Sequence, residues 1–181
     1  MIAHARQQGL PVTADVAAHQ LFLTENDISD FNSNAHVYPP LRTERDRDAL
    51  MQGVADGVIS AISSDHQPHE ADAKLAPFAE TEPGISALET LLPLCMKLTQ
   101  EYGMELTTVL RAITSNPAGI LGVAGGTLKS GSAADITIID PQQEWTLDRE
   151  RMLSQGKNTP FNGWPFKGMV RYVLIKGQPL Y

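Results

Sequence analysis

The chain has one cysteine in 181 residues. Cys95 therefore closes no intramolecular disulfide. Its setting, Leu91-Leu92-Pro93-Leu94-Cys95-Met96, reads as that of a buried structural thiol. A reducing, cytoplasmic compartment fits this pattern. Long apolar runs are missing too, and none approaches the ~20 residues that cross a bilayer, so no membrane partner is expected. The opening MIAHARQQGLPV lacks the apolar centre and small-residue cleavage site of a signal peptide, and none is expected there. Clustered positive charge is absent. Lys and Arg number 14 against 21 Asp and Glu, for a net charge of −7. With no basic stripe, nucleic acid is not an expected partner. Several catalytic signatures are also lacking: H-x-H, H-E-x-x-H, C-x-x-C, G-x-G-x-x-G and the G-x-S-x-G elbow. Gly122-Val123-Ala124-Gly125-Gly126 is rich in glycine but precedes a strand, which argues against a phosphate cradle.

What is present begins with a hydrophobic content of 42%, enough for one domain with a core or for a piece of a larger one. Residues 2–9 read as the last turns of a helix, with Gly9 as its cap and Pro11 as its stop. A chain that opens this way reads as cut from something longer; a natural short helix is the alternative. A strand is expected at Val12–Val16. Thr43, followed three residues on by Asp46, predicts the start of a helix that runs to Asp56, and Gly57 closes it. Residues 58–63 form a near-continuous apolar run, as in a parallel strand buried on both faces. Strand, helix and strand together fit a right-handed βα crossover in an α/β fold. A long irregular stretch, 64–84, follows with Pro68, Pro77 and Pro83, and loops of that length are often functional. Helices are expected over Ser86–Tyr102 and Thr107–Thr114, the second ended by Asn116-Pro117. Short strands are expected at Gly126–Leu128, Ala134–Pro141 and Met169–Ile175. The organisation is thus an α/β unit over 1–122 followed by a small β unit over 123–181.

The densest chemistry is Ser63-Ser64-Asp65-His66-Gln67-Pro68-His69-Glu70. Parallel α/β folds place reacting groups at the C-terminal ends of strands, and Asp65 lies just past such an end. An aspartate there can hold a divalent metal by one oxygen and take a proton with the other. His69 is open to three readings: second ligand, donor to a substrate carboxylate, or no role. By spacing alone the stretch reads equally well as a solvated polar loop. His19 also follows a strand, but a satisfied structural histidine is the simpler reading. His4 and His36 have no acidic or histidine neighbours at ligand spacing. A metal hydrolase needs three or four protein ligands, and only Asp65 stands out as one here.

Several stretches resemble dihydroorotase, a cyclic amidohydrolase. "SSDHQPHEADAKLAPF" with "PGISALETLLPL" resembles the D-H-A-P-H segment of that family and its following G-I-x-x-L-E-T helix. "VTADVAAHQLFLT" is similar to V-T-x-E-V-x-P-H-H-L, and "HVYPPLRTERDRDAL" to K-V-N-P-P-L-R-x-x-x-D-x-x-A-L. "SNPAGILGVAGGTLKSGSAADITIIDP" resembles the family's approach to its small β domain, and "KNTPFNGWPFKGMVRYVLIKGQPLY" its N-T-P-F-x-G ending. The stretches are collinear and cover nearly all of the 181 residues.

The resemblance implies a (β/α)8 TIM-type barrel plus a small β domain. This chain would supply the last two βα units over 1–122, as the C-terminal portion of a metal-dependent hydrolase barrel, and the C-terminal part of the β domain over 123–181. It implies hydrolysis and closure of the dihydroorotate ring in cytoplasmic pyrimidine biosynthesis, one or two zinc ions, and a homo-oligomer. Asp65 matches the family's metal-binding aspartate and general base. His69 matches a histidine that holds the substrate, and Pro83 and Gly84 match a loop whose backbone contacts the ring. The family's H-x-H, bridging lysine, two later histidines and substrate-binding arginine have no counterpart here, so the metal site is incomplete in this chain. Tyr38 stands where the family has a substrate-contacting asparagine, a larger group that pairs differently and should cost affinity. P-H-H-L reads Ala18-His19-Gln20-Leu21. These departures resemble a side branch: a non-catalytic dihydroorotase-like subunit that assembles with aspartate carbamoyltransferase. A hydantoinase or allantoinase is disfavoured by P-P-L-R and D-H-Q-P-H.

Overall fold

A computed structural model describes residues 1–180. In chain order the elements are α1 (Ile2–Gln7), β1 (Asp15–Ala17), α2 (Glu44–Ala55), β2 (Ala61–Ser63), α3 (Leu91–Tyr102), α4 (Leu106–Ile113), α5 (Ser115–Leu121), β3 (Ile136–Thr146), β4 (Pro165–Ile175) and β5 (Gln178–Pro179). Single 3-10 turns fill much of the stretch between β1 and α2 and of that between β2 and α3.

The crossover forms as its residues predict. β1 and β2 pair in parallel, with Ala17 opposite Ser63, and α2 connects them. The Thr43 hydroxyl accepts from the Asp46 amide while the Asp46 carboxylate accepts from the Thr43 amide, so two orphan donors of α2 are satisfied at once. Met51 and Val54 give α2 its buried face.

Both strands are shorter than expected, and the hydrogen bonds explain why. The Ile59 amide donates back to the Gly53 carbonyl, so it closes α2 rather than entering a ladder. Pairing begins only where Ser60 and Ala61 reach the Ala14 carbonyl. The helix expected from Ser86 starts at Leu91. The Ser86, Ala87 and Leu88 amides are taken by the Asn158 carbonyl and the His66 ring, which leaves residues 86–90 as a turn. The helix expected to end at Thr114 does so: α4 stops at Ile113 with Thr114 as its cap. A further helix, α5, starts at once at Ser115, with Pro117 in its first turn, where the missing N–H costs nothing. Residues 126–128 are not a strand.

β3, β4 and β5 form an antiparallel sheet. Pro141 lies in β3 at a register shift between Asp140 and Glu144, a place in a sheet that tolerates proline. One apolar cluster joins both parts of the chain. Leu147, Met152, Phe161 and Phe166 pack in the same core as Leu21, Ile85, Leu94, Leu98 and Val109. Cys95 is 1% exposed within it, and burial pushes its thiol up to about 12, so it is an inert packing group. Among the described residues no helix is long and apolar enough to cross a membrane.

Candidate active site

The parallel pair delivers two chemical groups at one end. His19 lies two residues past the end of β1 and Asp65 two past the end of β2, and the register aligns those ends. Asp65 takes a left-handed backbone, φ 47°, uncommon for a residue with a side chain and a mark of local strain. The Gln67 side-chain amide donates to Asp65 Oδ1 at 2.8 Å. Oδ2 carries no hydrogen bond among the described residues. His19 is 1% exposed, and its Nδ1 has no partner among them. Burial lowers its pKa to about 4 against the opposing pull of the Asp65 charge, so the ring is neutral at pH 7.

His69, Pro83 and Gly84 come together. His69 Nε2 lies 3.1 Å from the Pro83 carbonyl, which only accepts, so Nε2 carries the proton and Nδ1 is left as the ring's other face. The Gly84 amide donates to the His36 carbonyl at 2.8 Å. Its carbonyl accepts from Lys74 Nζ at 2.9 Å and from Asn158 Nδ2 at 3.0 Å. Gly84 has φ 136°, and a Cβ there would fall 2.5 Å from Gln67 Cβ, so only glycine fits. Lys74 is buried, which lowers its pKa to about 8 against the nearby Glu82 charge.

Tyr38 stands apart from this group. It is 79% exposed, and no hydrogen bond links it to Asp65, His69 or Gly84 among the described residues. Its segment is nevertheless anchored nearby through the His36 carbonyl, and His36 Nδ1 donates to the Thr81 hydroxyl at 2.8 Å.

Sequence reasoning left several participants without a task. His66 Nδ1 accepts from the Ala87 and Leu88 amides at 3.0 and 3.1 Å, stitching the strand end to the turn before α3. Asn158 binds both His69 and Gly84. The only sequence signal for Asn158 was its place in the N-T-P-F stretch. Nothing in the sequence marked Lys74, because a lone lysine in a polar loop ordinarily faces water.

Among the described residues no group of three or more His, Cys, Asp and Glu side chains is arranged to hold a metal ion. Asp65 nonetheless suits one ligand position: Gln67 uses one lone pair of Oδ1 and fixes the carboxylate, leaving the second Oδ1 lone pair for a metal and Oδ2 open.

The amidohydrolase family profile matches residues 3–180. A dihydroorotase-like protein of Pseudomonas putida is 54% identical over 98% of this chain and 42% of its own length. A dihydroorotase of Geobacter sp. strain M21 is 41% identical over 100% of this chain and 43% of its own length. The L-hydantoinase (dihydropyrimidinase) of Arthrobacter aurescens has a similar fold, with a TM-score of 0.92 at 26% identity over 99% of this chain and 41% of that one. The chain thus spans less than half the length of the proteins it matches, with an α/β fold like that of hydantoinases. With the matched profile running almost from end to end, the chain belongs to the amidohydrolase family.

Proposed function

We propose that the chain is the C-terminal part of a dihydroorotase-type cyclic amidohydrolase of cytoplasmic pyrimidine biosynthesis. On this reading residues 1–122 are the last two βα units of a (β/α)8 barrel, and 123–181 belong to a small β domain. The protein acts as a homo-oligomer on dihydroorotate and N-carbamoyl-aspartate. The observation that carries the reading is Asp65 at the C-terminal end of the parallel pair, beside the group of His69, Pro83 and Gly84.

In the hydrolytic direction, water adds its oxygen to the ring carbonyl carbon, the ring carbon–nitrogen bond breaks, and the nitrogen gains a proton. Asp65 takes the proton from the attacking water at Oδ2 and returns it to the leaving nitrogen. Gln67 holds Oδ1, so the open oxygen keeps one direction. His69 offers Nδ1, an acceptor once Nε2 donates to the Pro83 carbonyl, to a ring N–H of the substrate. Both Gly84 backbone groups are occupied, so it meets the ring as a flat surface without Cβ. Asp65 would be one ligand of one or two zinc ions, which supply Lewis acidity towards the carbonyl; the other ligands lie outside this chain.

The test is dihydroorotate turnover by the full-length protein loaded with zinc. Asp65→Asn should lower kcat by on the order of 10²–10⁴-fold, and unchanged turnover would remove Asp65 from this role.

Tyr38 favours a second reading: a non-catalytic dihydroorotase-like subunit assembling with aspartate carbamoyltransferase. An exposed phenol occupies the position of the family's substrate-contacting asparagine, and the Pseudomonas putida relative is called dihydroorotase-like. This reading predicts no turnover at any zinc loading and co-purification with aspartate carbamoyltransferase.

A further inference from the structure

The groups proposed to touch substrate lie on separate loop segments, His69 on one and Pro83-Gly84 on the other. A single buried side chain holds both. Asn158 is 5% exposed. Its Oδ1 accepts from the His69 amide at 2.8 Å, across 89 residues of sequence. Its Nδ2 donates to the Gln67 and Gly84 carbonyls, each at 3.0 Å. One acceptor and two donors are thus all used. The Asn158 carbonyl also accepts from the Ser86 amide at 2.9 Å. The approach is close: a Cβ at Gly156 would fall 2.6 Å from the His69 amide nitrogen, which leaves no room for water between the segments.

No other common side chain of this size makes the same set of bonds. Aspartate keeps the acceptor but loses both donors and sets a charge against two carbonyls. The clamp acts on atoms adjacent to those in the proposed site: the amide of the residue whose imidazole meets substrate, and the carbonyl of the glycine beneath the ring.

We propose, on the reading of the site given above, that Asn158 is a positioning residue that locks His69 and Pro83-Gly84 into one preformed binding surface for the cyclic substrate. The β-domain end of the chain thereby sets substrate affinity at the barrel end.

The experiment compares wild-type full-length protein with Asn158→Asp and the milder Asn158→Ser. It uses hydrogen–deuterium exchange and steady-state kinetics on dihydroorotate. In Asn158→Asp, exchange should rise about tenfold or more in segments 66–70 and 82–86 and stay unchanged in β3 and β4. KM should rise on the order of tenfold or more while kcat per folded enzyme falls much less. Asn158→Ser should lie between, and it carries the test should the aspartate variant fail to fold. A merely structural role predicts a lower Tm and less active protein at an unchanged KM, and that result overturns the proposal. Unchanged exchange in both segments overturns it as well. A wild-type protein without turnover sinks the catalytic reading instead, and exchange alone then decides the clamp.

Discussion

The two strands of the parallel pair are followed by loops of comparable length that differ in what holds them. After β1, the chain closes partly on near neighbours, and among the described residues only Ser33 and His36 tie its far end to the second loop by hydrogen bonds. Thr24 and Asp27 form a capping box, and Asn32 accepts from the Asn34 amide. After β2, the chain is held from afar. Asn158 grips Gln67, His69 and Gly84, and Glu89 accepts from the Leu153 and Ser154 amides. The first loop leaves Phe31 and Tyr38 at the surface, each 79% exposed. The second is pinned on both sides and carries the groups aligned with chemistry. A site needs its parts fixed to a fraction of an ångström, and long-range bonds to a rigid neighbour achieve this better than local turns.

The sharpest way to break the contrast is Gly84→Ala. A Cβ at φ 136° and 2.5 Å from Gln67 Cβ has no place to go. A loss of roughly 3 kcal/mol or more is expected, read as a fall in Tm and in chemical-denaturation midpoint. A loss under about 1 kcal/mol would mean that the second loop yields as easily as the first.

His19 makes a pH test on the side of the first loop. Folding depresses its pKa from 6.5 to about 4, so the unfolded chain takes up the proton first. Its contribution is complete above pH 6.5 and is lost as pH falls through 4. The difference amounts to about 3 kcal/mol. Denaturation midpoints measured from pH 7 to pH 4 should fall steeply, and His19→Gln should flatten that slope. An equally steep slope in His19→Gln would assign the loss to other groups.

Thr24→Ala removes a local cap and should cost about 1 kcal/mol, with exchange rising only between residues 22 and 35. Spread of the effect into residues 64–90 would show that the Ser33 and His36 bonds transmit the loss to the second loop.

Tyr38→Asn should change stability by less than about 0.5 kcal/mol, because the side chain makes no buried contact. The informative readout is dihydroorotate affinity. Tighter binding in the variant supports a site that has lost an amide, and unchanged binding separates position 38 from the site.

The sequence by itself determined the local events. Thr43 and Asp46 start α2 because one hydroxyl and one carboxylate satisfy amides three residues apart. The apolar run before Asp65 ends in a buried strand because a continuous apolar stretch has no solvent face to offer. Quoted motifs, read together, carried the family resemblance. Their ends were less legible. Ser86–Thr90 has helix-compatible composition, but its amides bond to Asn158 and His66, and the helix waits until Leu91. The stop before Asn116-Pro117 holds, but α5, which follows it with Pro117 in its first turn, was not legible.

Only the tertiary structure decided what His66, Lys74 and Asn158 do. His66 sits three residues from His69 in the same polar run, yet its ring serves two backbone amides while His69 faces the candidate site. Lys74 looks like any surface lysine until its ammonium is found on the Gly84 carbonyl. The physical reason is common to all three. A hydrogen bond depends on which donor and acceptor are brought within 3 Å, and for partners such as His69 and Asn158, 89 residues apart, that proximity is a property of the packed chain.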